Sequence, residues 1–162
     1  MADFHIKQDK ELTEIVEDTS VNYSYLPELV GHLLGLAHLR ATQLCTQVMD
    51  PLALTPKQFV TLEFVSKNPE IAQKDIAHHV GTTPPVMVNI LDELSKRKLV
   101  CRVRSTQDRR RQFVQTTDAG RRMLGEMREK AFQVEEIFAD EMGLSDAERQ
   151  ILLTILRKMT GR

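Results

Sequence analysis

Three consecutive arginines, Arg109, Arg110 and Arg111, lie in the most strongly charged stretch of this sequence. Between residues 96 and 122, ten lysines and arginines meet two acids, Asp108 and Asp118, a local balance of +8 in a chain of net charge −1. The first twenty residues run the other way, with six acids against two lysines. Guanidinium groups pair with phosphate oxygens, so one basic stretch on an otherwise acidic chain suits a nucleic acid with a single contact region. A solvated basic loop is the bland reading of the same charges.

Other reactive side chains give weaker patterns. His78 and His79 are adjacent and would point about 100° apart on a helix, while His32 and His38 stand six residues apart, so neither pair chelates a metal naturally. Cys45 and Cys101 form no disulfide framework, and a reduced cytoplasmic protein is expected. No Ser/His/Asp arrangement, glycine-rich phosphate loop or tuned carboxylate pair is visible, which argues against an enzyme, and no cofactor or metal is called for. His32, Leu36 and Arg40 recur every four residues beside Gly31 and Gly35. An imidazole and a guanidinium next to small residues could receive a carboxylate or phosphate group. Equally, Arg40 could form an interface salt bridge and His32 could be a packed core residue.

The elements that must position these groups are helix-rich. With 162 residues, 41% hydrophobic and 28% charged, the chain has room for one packed domain, or one with an added oligomerisation element. No apolar run reaches the roughly 20 residues of a membrane span, and the N-terminus lacks a secretory pattern. Residues 27–49 have helical periodicity, stopped by Asp50 and Pro51. Thr55, Pro56 and Gln58 form a start signal with a capping box, and Leu54 and Phe59 are spaced as a hydrophobic staple. A short helix over 71–80 ends at Gly81. Thr82 can then cap a helix reaching Lys98, with Pro84 and Pro85 in its first turn and Val86, Ile90, Leu91 and Leu94 as its core stripe. Two helices joined by a tight glycine turn constitute a helix-turn-helix. Alternating residues 100–104 and 112–116 flank a polar tip and predict a β-hairpin wing. Thr117 caps a helix over 118–142, and Ser145 with Glu148 starts the last one.

In this order the elements resemble the MarR family of bacterial transcriptional regulators. The resemblance covers residues 27–160 and rests most on Leu94, Leu99 and Val100, then Asp108 and Arg110, then Thr117 and Gly120. Together they match the pattern L-x-x-x-G-L-V, D-x-R, L-T-x-x-G. Lys98 replaces the usual glycine and Thr116 the usual leucine, departures that bear on local turn geometry.

The resemblance implies a mainly α fold, a winged helix-turn-helix with flanking N- and C-terminal dimerisation helices. An N-terminal arm would occupy 1–25, the dimerisation region 26–50 and 118–162, and the DNA-binding domain 51–117. It implies a homodimer on a pseudo-palindromic operator, acting as a repressor until a small-molecule effector binds. Among candidate DNA contacts, Asn89 suits adenine, and Thr83, Pro84 and Val88 suit thymine methyl groups, with Thr82, Pro85 and Met87 nearby. Gln73 and Lys74 would touch phosphate. In the wing, Arg110 would enter the minor groove, oriented by Asp108, while Arg102, Arg104, Arg109 and Arg111 neutralise the backbone. The effector would be an aromatic or phenolic carboxylate or an aryl-CoA thioester, bound near His32, Leu36 and Arg40 with Phe59, Phe64 and Met127 as apolar walls. Two alternatives stay open: redox sensing through Cys45 or Cys101, and a constitutive DNA binder. For the cysteines, inert inward-facing thiols are the expectation.

Overall fold

A 3₁₀ turn, Leu26–Glu28, with Pro27 in its first turn, leads into the first long helix. The computed structural model describes residues 22–104 and 112–161. Most of the predicted N-terminal arm and the whole wing tip, 105–111, with its candidates Asp108, Arg109, Arg110 and Arg111, lie outside the described residues. The helices are α1 (Val30–Met49), α2 (Pro56–Lys67), α3 (Gln73–Val80), α4 (Pro84–Lys96), α5 (Asp118–Glu141) and α6 (Asp146–Thr160), with strands β1 (Val100–Arg104) and β2 (Gln112–Thr116) between α4 and α5. The fold is mainly helical with a two-stranded antiparallel wing, as the sequence pattern predicts.

Two compact units divide the chain, Met1–His38 and Leu39–Arg162. The described part of the first holds the 3₁₀ turn and the start of α1, where Leu29, Val30, Leu33 and Leu36 are exposed. An added Cβ on Gly31 or Gly35 would meet no atom within 4 Å, so the chain's own packing does not demand either glycine.

In the second unit, α2 starts on the predicted capping box: Gln58 N–H donates to Thr55 Oγ1, and Thr55 N–H donates to Gln58 Oε1. Leu54 is buried and Phe59 packs against the same core. The core gathers Leu62 and Val65 of α2, Ile76 of α3, Val114 of β2 and Leu124 of α5. A smaller cluster joins Leu44 and Val48 of α1 to Val134 of α5. Ala72 bridges Phe113, so the α2–α3 connection adds a short edge to the wing.

Gly81 turns the chain out of α3 at φ +69°, with Thr82 N–H donating to the Ala77 carbonyl. The helix that follows departs from expectation in two respects. Thr83, not Thr82, is the residue before its first turn, and its side chain makes no capping bond. With α4 starting at Pro84, the inward stripe is Met87, Ile90, Leu91 and Leu94, and Val86 is turned out with 44% exposure. Either stripe satisfies helical spacing, and the larger Met87 side chain takes the core position.

The wing's base is closed by a local latch. Lys98 takes the left-handed conformation at φ +59°, with its N–H donating to Ser95 O and Leu99 N–H donating to Leu94 O, both at 2.9 Å. This is a Schellman turn with lysine where glycine is favoured. Thr117 Oγ1 donates to Lys98 O at 2.6 Å and accepts from Gly120 N–H at 3.0 Å. Gly120 lies against the same backbone: a Cβ there would sit 2.0 Å from the Leu99 carbonyl oxygen.

Candidate nucleic-acid interface

At the N-terminal end of α4, Thr83, Pro84, Pro85, Val86, Val88 and Asn89 are exposed. Thr82 is half-buried in the turn before them. Together these residues present an apolar rim with one amide, suited to thymine methyl groups and an adenine edge. Met87, predicted among them, is fully buried at 0% exposure and belongs to the core stripe. Val86 replaces it on the open side and joins the contact candidates. On α3, Lys74 is exposed and Gln73 half-buried. Lys57 of α2 was missed by sequence reasoning. Its ammonium donates to the Gly81 carbonyl at 3.3 Å, at the turn between the two helices. That proximity depends on how α2 crosses the turn, and no local spacing announces it.

On β1, Arg102 and Arg104 are exposed, two residues apart and so on one side of the strand. Arg102 does not stand as a free cation: its Nη2 donates to Asp92 Oδ1 of α4 at 2.5 Å. Cys101, expected to face inward, is exposed. Only Val100 of β1 is buried, and alternation turns Cys101 outward from it.

The C-terminal half of α4 is tied to the chain ahead of α2. Arg97 donates to the carbonyls of Ala53 and Leu52, the latter at 3.0 Å, and Ala53 is itself left-handed at φ +49°. Gln58 Nε2, from the buried capping box, donates to Glu93 Oε2 at 2.5 Å.

The predicted effector residues fall in both units. His32 and Leu36 belong to the first unit; Arg40, Phe59, Phe64 and Met127 belong to the second. His32 and Arg40 are half-buried and Leu36 is exposed. Phe64 turns toward α3 and stacks on His79, centroids 5.2 Å apart. Met127 does not form an open wall: it is fully buried in the main core. Cys45 is half-buried beside the smaller cluster, and burial, reinforced by the Glu135 carboxylate, pushes its thiol pKa up. That favours the unreactive protonated form. Among the described residues, no helix is long and apolar enough to cross a membrane.

A family model described as MarR family matches residues 54–111. The HTH-type transcriptional repressor NicR of Pseudomonas putida is 33% identical over 133 residues, which span 82% of each chain. The chain belongs to the MarR family. Among solved structures, the transcriptional repressor CouR bound to a 23-mer DNA duplex is 33% identical, with a TM-score of 0.79 over 86% of this chain and 98% of that one. CouR bound to p-coumaroyl-CoA is 30% identical, with a TM-score of 0.76 over 86% and 97% of the two chains. BpsR of Bordetella bronchiseptica, solved to explain regulation of its DNA binding by 6-hydroxynicotinic acid, is 30% identical, with a TM-score of 0.73 over 81% and 98%. These relatives are transcriptional regulators rather than enzymes.

The MarR signature now has a physical explanation in this chain. Its threonine, Thr117, is the latch and cap; its last glycine, Gly120, allows α5 to meet the Leu99 backbone. Both departures carry a local cost. Lys98 occupies the left-handed position without glycine's freedom, and the buried Thr116 hydroxyl has no hydrogen-bond partner among the described residues.

Proposed function

We propose that this protein is a ligand-responsive repressor that binds a pseudo-palindromic operator as a homodimer. It is released by a small aromatic or phenolic carboxylate or its aryl-CoA thioester. The observation that carries this reading is the likeness to CouR along nearly all of that chain, because CouR has been solved both on DNA and with p-coumaroyl-CoA. The 6-hydroxynicotinic acid of BpsR shares with that thioester a hydroxyl-bearing aromatic ring conjugated to a carboxyl-level carbon.

Residues 51–117 bind DNA in this proposal. The α4 N-terminal face lies in the major groove with Asn89 on a base edge, Gln73, Lys74 and Arg104 approach phosphate, and Arg110 enters the minor groove. Residues 26–50 and 118–162 form the dimer, for which the exposed Leu29, Leu33 and Leu36 of the first segment and Ile151, Ile155 and Met159 of α6 offer apolar surface. The effector binds more tightly to the dimer whose recognition helices are wrongly spaced for DNA, and weakens operator binding by that affinity ratio.

The test is fluorescence anisotropy on duplex DNA from upstream of the protein's own gene, titrated with p-coumaroyl-CoA, p-coumarate and 6-hydroxynicotinic acid. Release by one of them is the expected result. DNA binding indifferent to all three would favour a constitutive binder. The exposed position of Cys101 supports a redox reading as the second choice. Peroxide-driven release that disappears in Cys101→Ser would favour it.

A further inference from the structure

Asp92 and Arg102 meet where the recognition helix joins the wing. Asp92 follows Asn89 by three residues, within reach of the same exposed side of α4. Arg102 is fixed opposite Val114 in the antiparallel pair. Arg104, on the same side of β1, has no acidic partner among the described residues.

We propose that Asp92 withholds Arg102 from the DNA backbone: the pair stays closed on DNA, and the carboxylate weakens the protein's grip on duplexes of every sequence. This rests on the reading of α4 and the wing as the DNA-facing surface. Exchanging Asp92 for a phosphate would replace one charge-assisted bond by another. It would also leave a bare carboxylate beside a line of phosphates, where like charges repel. The exchange therefore gains nothing and costs a repulsion. Both partners sit on hydrogen-bonded elements, so less freedom is lost in holding the pair than in a pair between loops. Because a phosphate contact adds equally to all sequences, Asp92 sets the strength of binding without altering preference among sites.

The experiment measures the salt dependence of binding to two duplexes, one of random sequence and one from upstream of the protein's own gene. Asp92→Asn frees Arg102, so the slope of log K against log salt steepens by about 1 and both duplexes bind roughly five- to tenfold tighter at about 0.1 M salt. Asp92→Asn combined with Arg102→Gln returns the slope to that of the wild type. The proposal is overturned if Asp92→Asn leaves the slope unchanged while the double variant loses about 1, because Arg102 then already sits on phosphate in the wild type. Wild-type protein that binds neither duplex at low salt would overturn the DNA-binding reading itself, and this inference with it. Circular dichroism melting of each variant separates altered binding from unfolding.

Discussion

The Thr117 hydroxyl and the Lys98 carbonyl oxygen, 2.6 Å apart, join the first turn of α5 to the last turn of α4 across the base of the wing. Because the same hydroxyl accepts from Gly120 N–H, one side chain serves both as a cap and as a tie between elements. Thr117→Val keeps the volume and removes both bonds. It should cost about 1–2 kcal/mol in urea unfolding, with Thr117→Ser recovering most of the loss. A Val variant as stable as the wild type would show that the tie is idle.

Gly120→Ala is expected to be worse. The added methyl would lie 2.0 Å from the Leu99 carbonyl oxygen and 2.7 Å from Thr116 Cγ2, and backbone cannot yield as a side-chain end can. Displacing α5 from that backbone should cost upwards of about 2 kcal/mol, read as a lowered melting temperature.

Substitutions at the two positions that depart from the MarR pattern should stabilise the protein. Lys98→Gly relieves a left-handed lysine, and Thr116→Val replaces a buried hydroxyl that lacks a partner among the described residues. Each is expected to add about 0.5–1 kcal/mol, measured by urea titration of the single variants.

Met87 and Asn89, two residues apart on α4, should fail in opposite ways. Met87→Ala opens a cavity in the core and should cost about 2–5 kcal/mol of stability. Asn89→Ala, at an exposed position, should melt normally yet lose about 1–3 kcal/mol of discrimination against a changed operator base. Paired melting and binding curves of the two variants check this.

None of the described α6 residues is buried, and Ile155 is half exposed in the single chain. If a second copy covers this face, Ile155→Glu places a charge in an apolar interface and should shift the protein from dimer to monomer in sedimentation equilibrium at micromolar concentration. An unchanged dimer would move the interface elsewhere.

Most of the secondary structure was legible because its signals are local. The Thr55 capping box, the glycine at 81 and the alternating wing strands each lie within a few residues of what they control. The inward face of α4 was not legible, since Val86 and Met87 both satisfy helical spacing and only packing against the other helices chooses Met87. The expected inward turn of Cys101 failed for a similar reason: alternation gives relative facing, and the burial of Val100 decides its sense. The Arg102–Asp92 pair, the Lys57–Gly81 bond and the Arg97 contacts join residues 10 to 45 apart in sequence. They follow from tertiary placement, which no short motif encodes.

The ties at Arg97 and Glu93 have a mechanical consequence. Arg97 holds one end of α4 to the segment that leads out of α1 and Glu93 holds it to the first turn of α2, while the contact candidates sit at the opposite end. A 13-residue helix is roughly 20 Å long, so pivoting it by roughly 5° about its tethered end carries the far tip nearly 2 Å. Hydrogen bonds to base edges fail over about that distance. If the far tip reads base edges as proposed, the helix is a lever that enlarges there a shift of a few tenths of an ångström beside Leu52.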